Sequence, residues 1–302
     1  MCRVLVLGNA GLDLSLQVPR LPERGETLLG KDVSRAPGGK GLNQAVSAAR
    51  AGAEVLFQAP VGWDAQGEEV SGALAAETSL AFLPQRSEHP TDFSLLMVLS
   101  DGENSIVSAG PCAAAFEQQE AIEFAEKVTQ GDILVMQGNL TAAATREALA
   151  MALLRGATTI LNPAPLWWDA RPLLPFCSIV VVNRIEAETI TGASVPTEAA
   201  AMLCEFGASI AIITLGAEGC LVHRGGSMQH FKASPVEAID TTGCGDTFCG
   251  VLAAAIASGR ALDDAVILAQ KAAAITATRS GAFAALPSRA EISAIIEAGG
   301  GR

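Results

Sequence analysis

The segment DTTGCGDTF at residues 240–248 places a glycine-rich turn and a carboxylate in front of an alanine-rich stretch. The backbone N–H groups of Gly243, Cys244 and Gly245 can point at an anion where a helix dipole is positive. A carboxylate beside that anion, Asp246, suits a general base that aligns a hydroxyl for attack on a γ-phosphoryl group. Spacing alone leaves a second interpretation open, in which Asp246 only caps the helix.

Two common phosphate-binding motifs are absent from the sequence. No G-x-x-x-x-G-K-[ST] loop occurs, and GCGDTF carries Phe248 where G-x-G-x-x-G requires its third glycine. The missing glycine disfavours a nicotinamide oxidoreductase.

A second glycine-rich segment, GGKGLN at residues 38–43, has the groups that suit a polyol. Its glycines allow close backbone approach, Lys40 supplies a positive point charge, and the Asn43 amide both donates and accepts hydrogen bonds. Asp13, after a buried strand, can accept two hydrogen bonds from sugar hydroxyls. Taken singly, the segment also fits a turn with a solvated lysine, and Asp13 also fits an exposed strand carboxylate.

Asn183 and Glu186 follow an apolar run at residues 179–182. Both therefore face the carboxyl edge of a predicted sheet, where ligands of α/β proteins bind. The N-x-x-E spacing is typical of a helix capping box. The same amide and carboxylate can instead hold a hydrated Mg²⁺ near phosphates.

The elements that must position these side chains alternate along most of the chain. From about residue 133, strands separated by helices predict right-handed crossovers and a parallel sheet. The predicted strands are 4–7, 133–137, 158–161, 179–182, 210–214, 220–223 and 236–240. The predicted helices are a segment that opens on Gly38 and Gly39 and ends at Gly52, then 142–155, 186–191, 246–258 and 263–278.

Several polar extended segments interrupt this alternation. A hairpin around the Asp-Gly turn at 101–104 and the extended pieces near 13–18 and 26–35 predict a small sheet that packs as a lid over the main body. We expect one α/β domain over residues 1–302, with lid strands from about 12–36 and 92–110.

Composition excludes several classes of protein. The 302 residues are 50% hydrophobic, which suffices for a full core. A net charge of -12 repels phosphate backbones and anionic lipids, so nucleic-acid and membrane partners are not expected. The seven scattered cysteines form no C-x-x-C motif and indicate a reducing, cytoplasmic compartment. No apolar run is long enough for a membrane span.

Six motifs, taken in order, resemble the ribokinase-like family of sugar and nucleoside kinases over essentially the whole chain. They are NAGLD at 9–13, PGGKGLNQA at 37–45, LNPAP at 161–165, N-x-x-E at 183–186, TLGAEG at 214–219 and DTTGCGDTF at 240–248. The combination of GGKGxNQA near the start with DTTGxGDTF near the end is far more specific than either motif alone.

This resemblance implies a doubly wound α/β fold, in which a mostly parallel sheet is flanked by helices and a small β lid covers the sugar. The lid is also expected to form a homodimer interface. The implied ligands are a small sugar, ATP and Mg²⁺, with a monovalent cation, K⁺, beside the anion hole.

The resemblance also implies roles for particular residues. The catalytic residues are Asp246 as the base and Gly243, Cys244 and Gly245 as the anion hole. The sugar is held by Asp13, Gly39, Lys40 and Asn43. Asn183 and Glu186 act around Mg²⁺ and the phosphates, and Thr214, Gly216 and Gly219 line the ATP site. The loops around the monovalent cation contain Asp240, Thr242, Thr276, Arg279 and Gly281.

The sequence departs from the ribokinase pattern at two positions. Gly11 stands where an asparagine precedes the sugar-binding aspartate, and Asn139 stands near the end of the central strand where a glutamate is usual. These changes alter which sugar hydroxyls find a partner. We nevertheless predict that Asn139 contacts the sugar.

The predicted function is ATP-dependent phosphorylation of a primary hydroxyl of a small sugar, with ribose or a related pentose first. One alternative is a nucleoside kinase, for which Phe57, Phe82 and Phe93 would supply the base pocket. Another is a catalytically silent sugar- or nucleotide-binding protein.

Overall fold

The computed structural model describes residues 2–99 and 104–299, which form two sheets and their helices. Within these ranges nine strands lie in one large sheet, in the order β13-β12-β11-β10-β9-β8-β1-β4-β5. These strands are β1 (Val4–Leu7), β4 (Val55–Gly62), β5 (Leu80–Ser87), β8 (Ile133–Gln137), β9 (Thr158–Asn162), β10 (Ile179–Asn183), β11 (Ile210–Thr214), β12 (Cys220–Arg224) and β13 (Ser227–Phe231). Pairing is parallel from β5 to β11 and antiparallel at β12 and β13.

Helices cover both faces of the large sheet. They are α1 (Lys40–Arg50), α2 (Ala65–Ala75), α3 (Pro111–Ala114), α4 (Gln118–Ala125), α5 (Ala142–Leu154), α6 (Arg184–Thr191), α7 (Pro196–Glu205), α8 (Cys244–Ala257), α9 (Leu262–Ala277) and α10 (Arg289–Gly299). Short 3₁₀ helices occupy Arg171–Phe176, Gly216–Glu218 and Phe283–Ala285. No helix of the described residues is both long enough and apolar enough to cross a membrane.

Strand β1 shows why both faces must be covered. Its four residues are all fully buried, and successive side chains point to opposite faces. Val4 and Val6 therefore lie in one hydrophobic cluster, and Leu5 and Leu7 lie in the other. This continuous apolar run is typical of a parallel strand in a doubly wound sheet, so the predicted fold class is confirmed.

The second sheet contains β2 (Gly11–Val18), β3 (Lys31–Gly38), β6 (Asp92–Leu99) and β7 (Asn104–Ala109), in the order β3-β2-β6-β7. We call it the lid sheet. Its register aligns Asp13 with Ala36 and Ser94, and Ser94 with Ser108, so these side chains share one face.

Helix α8 lies very close to α1, because Gly250 has no side chain. A Cβ atom at this position would lie 2.3 Å from the carbonyl oxygen of Gln44. Both helices contain many small residues, which permits this approach. The contact brings the first turn of α8 against α1.

The predicted strand at residues 236–240 is wrong. The backbone N–H groups of Ile239 and Asp240 both donate to the Ala277 carbonyl at the end of α9, so they are not available to a neighbouring strand. The other predicted strands and helices are present with shifts of a few residues at their ends. Residues 101–103 of the predicted hairpin turn lie outside the described residues.

Candidate active site

A cavity of about 420 Å³ lies between the lid sheet and the first turns of α1 and α8. The predicted site residues in its lining are Asp13, Gly39, Lys40, Asn43, Asn139, Thr242, Gly243 and Asp246. Phe93, which was predicted only for the nucleoside alternative, lines it as well. The remaining lining residues were not predicted to take part, namely Asn9, Gly11, Leu12, Asp92, Ser94, Leu96, Ile106, Ser108, Ala109, Gly110, Ala113, Pro165, Trp167 and Ala282.

Asp246 lies in the first turn of α8 and is 5% exposed. Its Oδ1 accepts a hydrogen bond of 3.0 Å from Nε2 of Gln44 and lies 3.6 Å from Nζ of Lys40. Its Oδ2 accepts a 3.4 Å hydrogen bond from Nδ2 of Asn43. A buried carboxylate is costly unless it is paired, and here two amides and one ammonium group supply that pairing.

Residues 40, 43 and 44 reach the same carboxylate because of their helical spacing. Side chains at i, i+3 and i+4 lie on one face of a helix, and α1 begins at Lys40. The sequence prediction missed Gln44, although this periodicity places it beside Lys40 and Asn43.

Gln44 belongs to a buried polar network that links the segments PGGKGLNQA, LNPAP and DTTGCGDTF. Its Oε1 accepts a 2.9 Å hydrogen bond from Gln137, and its Nε2 also lies 3.3 Å from Oδ1 of Asn162. The Asn162 amide in turn donates to the Val181 carbonyl. Gln137 and Asn162 are paired at the carboxyl ends of β8 and β9, so the sheet edge fixes the Gln44 amide that holds Asp246.

The amino end of α8 contains Gly243, Cys244 and Gly245, the residues predicted to form the anion hole. Gly243 adopts a left-handed conformation with φ of 80°, and the first i to i−4 bond runs from Thr247 N–H to its carbonyl. The Gly245 and Asp246 amides therefore have no partner within the helix. The Cys244 amide instead donates to Thr241 O. Burial raises the pKa of the Cys244 thiol to about 12, so this side chain is a neutral thiol near pH 7.

Asp13 faces the cavity from β2 of the lid sheet. Burial raises its pKa to about 6, a hydrogen bond with Ser94 opposes that rise, and the charge of Asp246 adds to it. A Cβ atom at Gly38 would lie 2.3 Å from the Asp13 carboxylate, so only glycine fits beside it. Asp13 and Asp246 are thus two carboxylates of the cavity lining whose charges repel one another.

Three buried acceptor oxygens in the cavity lining have no hydrogen-bond partner within residues 2–99 and 104–299. They are Oδ1 of Asn43, Oδ1 of Asn139 and Oδ2 of Asp92. Unpaired buried acceptors are costly, so this arrangement fits a ligand with several hydroxyl donors.

Asn183 and Glu186 form the capping box of α6. Asn183 Oδ1 accepts from the Glu186 amide at 2.8 Å, and Glu186 Oε2 accepts from the Asn183 amide at 2.9 Å. The Glu186 charge also helps to raise the pKa of Lys40, after the larger effect of Asp246. The cap interpretation therefore holds, and the same carboxylate also acts on the charge of Lys40.

Thr214 lies beside Asn183 across the β10 and β11 pair, at the same edge of the sheet. Gly216 has φ of 60° and open space around its Cβ position. Gly219 has φ of 100°, and a Cβ atom there would lie 1.9 Å from the Phe231 carbonyl. None of these three residues lines the cavity, and Thr214 lies at the carboxyl edge of the sheet beside the amino end of α6.

Asp240 joins the two loops predicted to hold a monovalent cation. Its Oδ1 accepts from the backbone and hydroxyl of Thr242, and its Oδ2 accepts from the Gly281 amide at 2.8 Å. Thr276 is buried and its hydroxyl pairs with Thr247, whereas the Arg279 guanidinium forms an ion pair with Glu291. Because the Arg279 side chain pairs with Glu291, only the backbone carbonyl of Arg279 is available for the predicted contact with the cation.

The aromatic residues are arranged differently from the predicted base pocket. Phe57 and Phe82 pack against each other with ring centroids 5.3 Å apart, and Phe57 is fully buried in the core. Only Phe93 of the three predicted residues lines the cavity. Trp167, 57% exposed, lies there as well.

Comparison with known proteins agrees with this fold. The sequence matches the pfkB family carbohydrate kinases over residues 1–289. It is 35% identical to a ribokinase of Haemophilus influenzae over 298 residues, which covers 97% of both chains. The ribokinase structure of Thermotoga maritima superposes with a TM-score of 0.90 at 26% identity, covering 98% of this chain and 100% of the other. A ribokinase of Cryptococcus neoformans in complex with ADP gives a TM-score of 0.82 at 26% identity, covering 97% and 99%.

These matches define the class of protein, and the lid sheet over a carboxylate at the amino end of a helix is consistent with it. The chain belongs to the pfkB family of carbohydrate kinases. It is an ATP-dependent sugar kinase of the ribokinase-like type.

Proposed function

We propose that the protein transfers the γ-phosphoryl group of ATP to a primary hydroxyl of D-ribose or a closely related pentose. The observation that carries the proposal is Asp246, buried in the cavity and held by Lys40, Asn43 and Gln44. The names of the similar ribokinases support ribose as the first candidate.

In the proposed reaction Asp246 takes the proton of the acceptor hydroxyl. The hydroxyl oxygen then forms a bond to the γ-phosphorus as the bond to the β,γ-bridging oxygen breaks, which yields a sugar phosphate and ADP. The free amides at the amino end of α8 stabilise the charge on the transferred group. Lys40, whose pKa is raised mainly by Asp246, stays protonated and adds a positive charge between the two substrates.

Asp13, Gly39, Asn43 and Asn139 are proposed to hold the sugar. Gly39 has φ of 102°, and a Cβ atom there would lie 3.1 Å from the Asn9 carbonyl and amide atoms, so the backbone itself borders the cavity. The unpaired oxygens of Asn43 and Asn139 accept sugar hydroxyls in this arrangement.

The nucleotide is proposed to bind along Thr214, Gly216 and Gly219, with Asn183 and Glu186 nearest its phosphates. Carboxylate and amide oxygens are suitable partners for hydrated Mg²⁺, and the Glu186 carboxylate keeps acceptor capacity beyond its capping bond. When bound, Mg²⁺ neutralises phosphate charge.

Asp240, Thr242, Thr276, Arg279 and Gly281 are proposed to surround K⁺, mainly through backbone carbonyls. The Asp240 carboxylate already ties the two loops together and brings a negative charge to them. Activity in KCl should therefore exceed activity in tetramethylammonium chloride, and Asp240→Asn should reduce that difference.

A homodimer formed through the lid sheet is also proposed. The face of the lid opposite Asp13 contains Leu14, Val33, Leu95 and Val107. Val33 is 73% exposed and Val107 is 61% exposed, and a second copy of this chain would cover such a patch.

A nucleoside acceptor is the second candidate. Trp167 and Phe93 line the cavity with part of each ring exposed, and aromatic faces of this kind can stack on a base.

The test is ADP release from Mg-ATP with K⁺ across pentoses, hexoses and nucleosides, in wild type and Asp246→Asn. The matched control is Asp264→Asn, because Asp264 is also the third residue of its helix but is exposed and far from the cavity. Turnover with ribose that vanishes only in Asp246→Asn supports the proposal. Turnover with nucleosides alone supports the second candidate, and an active Asp246→Asn overturns Asp246 as the base.

A further inference from the structure

Asp92 is a buried carboxylate in the sugar cavity that no motif of the sequence predicted. It is the first residue of β6, 4% exposed, and it lines the cavity. Alternation along the strand places its side chain on the same face as Ser94 and Leu96, which also line the cavity.

Only one of its two carboxylate oxygens has a partner in the described part of the chain. Oδ1 accepts from the backbone amides of Cys112 and Ala113 at 2.9 and 3.3 Å, which fastens the start of α3 to the lid sheet. Oδ2 accepts no hydrogen bond there. Capping α3 therefore uses half of the acceptor capacity of this carboxylate and leaves the other half unused.

The neighbouring position cannot supply a polar group. Gly11 is the register partner of Asp92 on β2, and a Cβ atom at Gly11 would lie 2.1 Å from the Asp92 carbonyl oxygen. Position 11 must therefore stay without a side chain. Of this register pair, only Asp92 can therefore offer a polar side chain to the cavity.

We infer that Oδ2 of Asp92 binds a non-reacting hydroxyl of the acceptor sugar and so helps to determine which sugar the enzyme accepts. The inference rests on the proposed function, because it requires that a sugar occupies this cavity. One oxygen of each of Asp92, Asn43 and Asn139 then belongs to a set of three acceptors, which have no partner among the described residues and which a bound polyol would satisfy.

The protonation state of Asp92 is compatible with this role. Burial raises its pKa to about 7, although the two backbone hydrogen bonds partly oppose that rise. The ionised carboxylate accepts from a hydroxyl, and the neutral form can also donate to one.

The decisive variant is Asp92→Asn, because asparagine keeps an acceptor oxygen for the Cys112 and Ala113 amides and changes the group at Oδ2. With the best sugar of the panel, at pH 8 where the Asp92 carboxyl is mostly ionised, we expect the KM to rise about tenfold or more and kcat to change much less, since a hydrogen bond to a charged group is lost. For the deoxy analogue that lacks the partner hydroxyl, variant and wild type should have similar kcat/KM.

The matched control is Asp64→Asn. Asp64 is a capping carboxylate next to the same strand, accepting from Gly67, Thr91 N–H and the Thr91 hydroxyl, and it lies outside the cavity lining. This control should lower the melting temperature without changing the KM for sugar.

An unchanged KM and unchanged sugar selectivity in Asp92→Asn, with turnover still dependent on Asp246, would overturn the inference and leave the proposed function standing. A wild-type enzyme that neither binds nor phosphorylates any sugar overturns both. If Asp92→Asn fails to fold, a crystal structure of the wild-type protein with bound sugar tests the inference instead. A sugar hydroxyl within hydrogen-bond distance of Oδ2 supports the inference, and its absence there overturns it.

Discussion

The side-chain amide of Gln44 lies 3.0 Å from Oδ1 of Asp246, although 202 residues separate them in the sequence. Gln44 is fully buried, and its amide oxygen is held by Gln137. The orientation of the proposed base is therefore determined by a chain of amides that runs to the edge of the central sheet.

Replacing Gln44 by methionine should reduce catalysis more than sugar binding. The substitution keeps the side-chain volume but removes the donor to Asp246, and a hydrogen bond to a charged group contributes about 1.5–3 kcal/mol. We expect kcat to fall about 10-fold to 150-fold, while the KM for sugar changes only a few-fold. Steady-state kinetics measures both, with Gln85→Met as the control, because Gln85 makes its hydrogen bond to Glu120 away from the cavity. A kcat equal to that of wild type would contradict the role of Gln44.

The affinity for sugar should depend on pH through Asp13. Its pKa is raised by burial to about 6, and the ionised form is the one that accepts two hydroxyls. The KM for sugar should therefore rise as the pH falls through 6. Ser94→Ala should shift this inflection to higher pH, because the Ser94 hydrogen bond lowers the pKa of Asp13. An inflection that stays in place would contradict the assignment to Asp13.

Unfolding of the protein should not cause this pH effect. The pKa of Asp13 is higher in the folded chain than in the unfolded chain, so the folded state binds more protons between about pH 4 and 6. Asp13 alone therefore makes the fold more stable as the pH falls through that window. Melting temperatures recorded over the same range provide the check.

Gly250→Ala should separate α8 from α1. The added methyl group would meet the Gln44 carbonyl at 2.3 Å, so the helices must move apart. Overpacking of this kind costs about 1–3 kcal/mol, and kcat should fall because Asp246 lies one turn earlier on α8. Urea denaturation and kinetics measure the two effects. Gly72→Ala in α2 is the control, because its Cβ position meets nothing within 4 Å and should be neutral or stabilising. If Gly250→Ala and Gly72→Ala had the same stability and the same kcat, close packing of α8 on α1 would not explain the need for glycine at position 250.

A charge on the outer face of the lid sheet should dissociate the proposed homodimer. Val107→Asp places a carboxylate in the apolar patch, and burying it in an interface without a partner is unfavourable. Light scattering after size-exclusion chromatography should show a smaller mass than for wild type. Leu154→Asp is the control, because Leu154 is 88% exposed on α5 and lies outside the lid. A wild-type chain that is already monomeric would contradict the proposed dimer.

Local sequence patterns predicted much of the fold. The apolar run of β1 and the alternation after residue 133 identified a parallel sheet flanked by helices, because buried parallel strands must be apolar on both faces. The doubly wound form followed from the resemblance to the ribokinase-like family. The strand assigned to residues 236–240 was wrong for a reason that no local pattern contains, since the Ile239 amide finds its acceptor at the end of α9.

The sequence by itself showed that glycine-rich turns and polar side chains stand at the amino ends of two helices. It could do so because glycine turns and helical spacing depend only on neighbouring residues. Gly243, Lys40 and Asn43 could therefore be named as candidate site residues from their motifs, although each motif taken singly left a structural role open. The tertiary structure alone decided that Gln44 holds Asp246 and that Asp92 lines the same cavity with one oxygen that has no partner in the described part of the chain. These relations depend on contacts between segments distant in the chain, and the packing at Gly250 and Gly11 brings those segments together.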